Sequence, residues 1–220
     1  MTSNDPGHHA IGDTTGNRST MQAIVQHRYG GPEVLELREA PIPVPGDDEV
    51  LVSVNAASVN PYDWHLMRAL PHFVRMTNGI TRPKNQIPGA DYAGVVTAVG
   101  AAVTDISVGD EVFGGTDSGT LAEFVAVARR NVVHKPTNVT FEQAAAVPRG
   151  GVTALQALRD SGRVKAGHKV LVNGAAGGVG TFAVQIAKAM GAEVTAVSST
   201  RNVEMVRSIG ADAVVDYTEE

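Results

Sequence analysis

The segment that most restricts this chain is a strand that runs into glycines and then into a helix. Val170-Leu171-Val172-Asn173 is followed without a break by Gly174-Ala175-Ala176-Gly177-Gly178-Val179-Gly180 and a helical stretch to about Met190. In register with the fingerprint of dinucleotide-binding turns, Ala175 takes the first glycine position, Gly177 the second and Gly180 the third. The first sets a tight turn, the second lets backbone amides approach a pyrophosphate, and the third lets the helix lie close on the strand. Ala176, Gly178 and Val179 complete the turn, and the helix N-terminus offers free N–H groups and a partial positive charge to the anion. A lone glycine pattern is weak, because any tight strand-to-helix turn can produce it. Here a second strand, Glu193 to Val197, follows at the right distance, so dinucleotide binding is the expectation.

The end of that second strand selects between dinucleotides. NAD sites usually place Asp or Glu there for the ribose 2′-hydroxyl, whereas a 2′-phosphate needs hydrogen-bond donors and a cation. This strand ends Val197-Ser198-Ser199-Thr200-Arg201, with Glu193 at its other end. Small hydroxyls and a guanidinium suit a phosphate, which Arg grips through two parallel bonds. An ordinary solvated Arg at a helix start would oppose the helix dipole, so the pattern predicts NADP.

Beyond Gly162 the chain reads β-α-β-α-β: strand Lys169 to Asn173, helix Val179 to Met190, strand Glu193 to Val197, helix Asn202 to Ile209, strand Ala213 to Tyr217. Gly191 and Gly210 end the two helices. A parallel sheet buried on both faces is expected. Upstream, short stretches at Met21 to Gln26, Val34 to Arg38, Glu49 to Val54, Gly94 to Val99, Asp110 to Phe113 and Leu121 to Val127 are separated by Gly- and Pro-rich breakers. They predict a mostly antiparallel, barrel-like β domain. Between the regions, Thr140 and Gln143 fit a capping box for a helix from Phe141 to Val147 that Pro148 ends, and a second helix runs from about Gly151 to Ser161. Met1 to Thr20 holds only three apolar side chains, Met1, Ala10 and Ile11. It is expected to be disordered, with Met21 a second candidate start. It has neither the pattern of a secretory signal nor that of an organelle presequence, which leaves a cytoplasmic location as the expectation.

The 220 residues carry 18 Lys+Arg against 23 Asp+Glu, a formal charge of -5, and no cysteine. Without cysteine there is no disulfide, iron–sulfur cluster, catalytic thiol or Cys-ligated zinc. The acidic balance and the lack of a basic run argue against nucleic-acid or membrane partners. No apolar stretch is long enough to span a bilayer.

Several spaced motifs then fall in one order: Val59-Asn60-Pro61-Tyr62-Asp63, Pro88-Gly89-Ala90-Asp91-Tyr92-Ala93-Gly94, Val108-Gly109-Asp110-Glu111-Val112-Phe113-Gly114, Ala122-Glu123-Phe124-Val125, and Gly167-His168-Lys169-Val170-Leu171 through the glycine turn to Gln185 and Lys188. Together they resemble the quinone oxidoreductase and zeta-crystallin branch of the medium-chain dehydrogenases/reductases. The resemblance implies an α/β chain with a β-rich part: a tail over 1–20, a GroES-like catalytic domain over 21–145, and the N-terminal half of a Rossmann NADP-binding domain over 146–220, with the rest of that fold missing. It implies hydride transfer from NADPH to a quinone or another α,β-unsaturated carbonyl compound. For the full-length enzyme it implies a homodimer, formed through a later strand. Thr153 resembles a threonine beside the nicotinamide, and Tyr217 an aromatic lining the adenosine 2′-phosphate pocket. A helix hydroxyl satisfying backbone and ordinary packing are the respective alternatives.

The same resemblance bears on metal. Zinc-dependent members carry Cys where Asn60 stands, and their Gly-His-Glu becomes Gly89-Ala90-Asp91, so no catalytic zinc is expected. A zinc-free site suits acceptors whose charge is already delocalised, such as quinones and enones. The developing oxyanion needs a donor, and the candidates are Asn60 and Tyr62, in a loop after the strand Glu49 to Val54. Wall packing competes for Tyr62. Asp63 is expected to brace the loop through backbone hydrogen bonds. Leu66 to Lys84, with Met67, Leu70, Phe73 and Met76, reads either as an apolar lip for an aromatic acceptor or as a packed helix, and packing is the expectation. Two other readings stay open: a truncated chain that binds nucleotide without turnover, and a structural role.

Overall fold

A computed structural model describes residues 18–219 of the chain. The expectation of disorder over residues 1–17 lies outside them. Arg18 already pairs with Glu123 at 2.7 Å, and Thr20 opens the first strand. The chain divides into two compact units, Met1–Glu142 and Gln143–Glu220.

The first unit is a β structure with two short helices. Strands β1 (Thr20–Gln26) and β2 (Leu35–Pro41) form an antiparallel pair. Strands β3 (Glu49–Ser58), β4 (Asp91–Val99), β5 (Glu111–Gly115), β6 (Phe124–Ala128) and β7 (Val133–His134) form an antiparallel sheet in the order β6-β3-β4-β5-β7. A bridge between Ala23 and Ala122 joins β1 to the segment before β6. Side chains of the five-stranded sheet meet in a core that includes Val50, Val52, Tyr92, Val96, Val112 and Val127, and Met21, Ala23 and Val25 of β1 form a second cluster. The period-2 alternation of a half-buried strand puts them there. The Tyr92 ring is fully buried, and its hydroxyl donates to Asn131 O at 3.2 Å.

Two departures from the sequence reading matter for function. Strand β3 runs four residues past Val54, through a register shift between Val54 and Ala56, so that Ser58 stands opposite Asp91. The chain then enters helix α1 (Pro61–Arg68), where a loop was expected. Pro61 suits the first helical turn, where no backbone N–H is needed. Beyond α1, Ala69 adopts a left-handed conformation (φ 50°) and the short helix α2 (Val74–Asn78) comes next. Met67 is buried, but Phe73 and Met76 are 69% and 83% exposed, so the packed helix expected over this segment is not what forms. A helix of five residues is too short to bury a face. It is anchored by polar contacts: the Tyr29 hydroxyl donates towards Asn78 O (3.1 Å) and Gly79 O (2.7 Å), and the Arg75 guanidinium lies 5.1 Å from the centre of the Tyr29 ring.

Helix α3 (Phe141–Ala145) spans the division, and α4 (Val147–Gln156) opens the second unit. Pro148 does not end a helix here. It sits in the first turn of α4, where a missing N–H breaks no bond. A π-helical turn, Ala157–Ser161, continues from α4. Strands β8 (Lys169–Asn173), β9 (Glu193–Ser198) and β10 (Ala213–Asp216) form a parallel sheet in the order β10-β9-β8, connected by α5 (Gly178–Ala189) and α6 (Val203–Ser208). Gly191 (φ 80°) and Gly210 (φ 114°) end these helices in left-handed conformations, as expected. Val172, Val194 and Ala196 pack with Val184 of α5 and Val206 of α6. The sheet is not buried on both faces: Leu171, pointing the other way, is 66% exposed. Both connecting helices contribute to the one core, so the alternate side chains of β8 meet no second layer among the described residues.

Candidate functional site

In the second unit, the end of β8 and the start of α5 build a turn with little spare room. Gly174 takes a left-handed φ of 70° and Gly177 caps α5 in an extended conformation. The turn is closed by Gly177 N donating to Gly174 O at 3.0 Å and by Ala175 N donating to Val197 O on the neighbouring strand at 3.0 Å. Ala175 is fully buried, so the first fingerprint position tolerates its methyl group, and the left-handed residue that makes the turn is Gly174, one place earlier. The fingerprint register leaves Gly174 out of the site. A Cβ on Gly180 would lie 2.2 Å from Gly174 O and 2.8 Å from Ala175 Cα, so only glycine lets the helix come this close. A Cβ on Gly178 would meet nothing within 4 Å. Ala176 is half-buried and Val179 is exposed.

The first turn of α5 carries no acidic side chain, and the N–H groups of its first residues have no carbonyl one turn back to bond with. That is the arrangement that receives a pyrophosphate. Helix α4 meets it closely, since a Cβ on Gly150 would lie 2.7 Å from Gly178 O. Thr153 lies one turn further along α4 and is exposed.

At the far end of β9 the remaining predicted residues converge. Ser198 O accepts from Tyr217 N at 3.3 Å, which brings the exposed Tyr217 to the same strand end as Ser199, Thr200 and Arg201. The Ser198 hydroxyl is buried and has no hydrogen-bond partner among the described residues. Ser199 Oγ accepts from Asn202 Nδ2 at 3.1 Å, and Arg201 is exposed, in no ion pair among the described residues. Two residues that the strand-end pattern does not include stand beside them. The Thr200 and Thr218 hydroxyls are hydrogen-bonded, and Thr218 Oγ1 donates to Asp216 Oδ1 at 2.6 Å, the bond that does most to hold the Asp216 carboxyl below its ordinary range. Their spacing in sequence hides them, because only the parallel pairing of β9 with β10 aligns Asp216 with Ser198.

In the first unit the cluster around Asn60 is a network. Asn60 Nδ2 donates to Ser58 Oγ (3.0 Å) and to Asp91 Oδ2 (3.0 Å), and Ser58 Oγ donates to the same Asp91 oxygen (3.2 Å). Asp91 is fully buried. Both amide hydrogens of Asn60 are therefore engaged within this network. Asp63 braces the turn as expected, accepting from Asn60 N at 2.7 Å. The Tyr62 hydroxyl reaches Asp117 O only at 3.5 Å, the outer limit of a hydrogen bond. His65 Nδ1 lies 2.7 Å from Leu70 O, so Nδ1 carries the donated proton, and the ring stacks on Trp64 with centroids 4.0 Å apart. Asn60 presents its amide NH2 to Asp91, and Ala90 contributes only a methyl group. Among the described residues no group of three or more His, Asp or Glu side chains could hold a metal ion.

Residues 46–137 match the alcohol dehydrogenase GroES-like domain family and residues 178–220 the zinc-binding dehydrogenase family. The chain is 39% identical over 206 residues to a chloroplast envelope quinone oxidoreductase homolog of Arabidopsis thaliana, covering 90% of this chain and 61% of that protein. The quinone oxidoreductase of Coxiella burnetii superposes with a TM-score of 0.83 at 34% identity, covering 91% of this chain and 63% of that one. The chain belongs to the medium-chain dehydrogenase/reductase superfamily. A further member, the NADPH-dependent alkenal/one oxidoreductase of Arabidopsis thaliana chloroplasts, is 41% identical over 213 residues, 91% of this chain and 53% of that protein. The chain thus spans a little over half of the length of these relatives. The GroES-like match lies within the first unit, and the second match begins at Gly178, the first residue of α5. No helix is long and apolar enough to cross a membrane among the described residues.

Proposed function

We propose that this chain belongs to an NADPH-dependent, zinc-independent oxidoreductase that reduces quinones or other α,β-unsaturated carbonyl compounds. The observation that carries the reading is the turn at Gly174–Gly180, where a helix N-terminus without acidic residues abuts a glycine that no side chain could replace. The amides at the start of α5 hold the pyrophosphate of the dinucleotide. Ser199, Thr200, Arg201 and Tyr217 hold the adenosine 2′-phosphate, with Arg201 as the cation. The orphaned Ser198 hydroxyl at the same strand end is a further donor for that group. Thr153 lies on the nicotinamide side. When bound, the cofactor supplies the hydride. The Tyr62 hydroxyl donates to the oxyanion that develops on the acceptor, a contribution typically worth about a hundredfold in rate. The Ser58–Asn60–Asp91 network holds α1, and with it Tyr62, in place. The names of the relatives, quinone oxidoreductase and alkenal/one oxidoreductase, support the acceptor class.

NADPH absorbance followed with a panel of quinones and short enones tests the proposal. Oxidation of NADPH in preference to NADH, lowered at least tenfold in Tyr62→Phe, is the expected result. A folded protein that binds neither nucleotide would remove the reading.

A further inference from the structure

We propose that residues 64–84 form a surface that docks on anionic lipid bilayers. Between Asp63 and Asp91 the sequence contains no acidic residue at all, while Arg68, Arg75, Arg82 and Lys84 are cationic. The charge of -5 over the whole chain conceals this local excess, and the spacing of the cations hides it from a search for a basic run.

The same stretch carries several exposed large apolar side chains close together in sequence. Phe73, Met76 and Ile80 are 69%, 83% and 76% exposed, and Trp64 and Leu70 are partly so. They do not belong to a loose segment. Tyr29 binds the two carbonyls that close α2, Lys84 N donates to Asn78 O at 2.6 Å to close the next loop, and Leu70 O is held by His65. A backbone fixed in this way keeps the apolar side chains outward. None of the ion pairs among the described residues uses the four cations. Arg68 lies 5.6 Å from the centre of the Trp64 ring and Arg75 lies over Tyr29. Glu33, whose carboxyl is held low first by backbone hydrogen bonds, is the acidic group that feels Arg68 and Arg28.

Charge complementarity selects the occupant. Cations with exposed Phe, Met and Ile side chains match a surface with anionic headgroups over an acyl boundary. A single-stranded nucleic acid would instead need successive free aromatic faces for stacking, and this stretch offers Phe73 and a Trp64 with one face already covered by His65. The association is peripheral, since no described helix spans a bilayer.

The test is co-sedimentation of the full chain with phosphatidylcholine vesicles, with and without about one-third phosphatidylserine, at low and physiological salt. Trp64 is the single Trp of the sequence and reports directly from the surface. Expected are binding to the anionic vesicles alone, weakening with salt, and a shift of Trp64 emission to shorter wavelength. Arg82→Gln with Lys84→Gln should weaken binding about thirtyfold. Phe73→Ser with Met76→Ser should lose the emission shift while circular dichroism stays unchanged, because both side chains are outside the core. Equal binding to both vesicle types, no binding to either, or binding intact in both double variants would overturn the proposal. So would a preference for a single-stranded oligonucleotide over the vesicles.

Discussion

Asn60 Nδ2 donates to Asp91 Oδ2 at 3.0 Å, tying the residue that caps α1 to the first residue of β4. Ser58 converges on the same oxygen, so one buried carboxylate receives two side-chain donors from the end of β3. Removing the carboxylate takes one bond from each of the two donors, whereas removing the Asn60 side chain leaves the Ser58 bond to Asp91 in place. Asp91→Ala should cost about 3 kcal/mol and Asn60→Ala about 1 kcal/mol in urea unfolding. A loss below about 1 kcal/mol for Asp91→Ala would show that the carboxylate does not organise the cluster.

Gly180 and Gly178 should respond in opposite ways to the same added methyl group. Gly180→Ala forces a backbone carbonyl to move and should destabilise by about 1–3 kcal/mol, with nucleotide binding reduced in parallel. Gly178→Ala meets open space and should leave stability within about 0.5 kcal/mol. If Gly178→Ala nevertheless weakens nucleotide binding, the open side of the turn is where the pyrophosphate lies. Calorimetric titration with NADPH and thermal unfolding of both variants separate the two effects.

Arg201 offers its guanidinium at the end of β9 with no carboxylate paired to it among the described residues. Arg201→Ala should weaken NADPH binding by about ten- to a hundredfold, the worth of a charge-assisted hydrogen bond, and leave NADH binding within about twofold. Equal losses for both nucleotides would place the side chain away from the 2′-phosphate.

Asp212 predicts a pH dependence. Its carboxyl is held below the usual range, first by Lys188 Nζ at 2.7 Å and then by Val194 N, which donates at 2.6 Å. The unfolded chain therefore takes up this proton at a higher pH than the folded one. Stability rises with pH through that window, is complete well above the unfolded value of about 3.9, and is lost as pH falls through the folded value. Asp212→Asn should be less stable than the parent at pH 7, and the gap should close towards about pH 2 in urea titrations. A gap of the same size at both pH values would mean that the carboxylate charge is not involved.

The features legible in the sequence are local ones. The strand and helix around Gly177, and the helix ends at Gly191 and Gly210, are set by neighbouring residues and stand in the fold as expected, with the tight turn itself made one residue before Ala175, at Gly174. Pro148 is ambiguous because a proline ends one helix and starts the next with equal ease, and only packing decides. Helix α1 begins with a helix-start pattern, Asn60, Pro61 and Asp63, yet the same residues read equally well as a polar loop. The partner of the Asn60 amide was beyond reach: Asp91 is 31 residues away and meets it only through the shifted register of β3 on β4. Phe73 and Met76 are expected inside because apolar side chains usually are, and the polar anchoring by Tyr29 that holds them outside leaves no periodic trace.

The two units also differ in how their strands find each other. In the second, β8 pairs with β9 and β9 with β10, each the next strand along the chain. In the first, Glu49 must find Ala128 and Ala23 must find Ala122 before the sheet closes. Loop closure over such spans costs entropy before any contact repays it, so folding slows as contact order rises. The glycine turn between β8 and α5 is therefore expected to acquire its shape early, while β3 is still searching for β6, and refolding followed by hydrogen exchange should protect the amides of β9 ahead of those of β3.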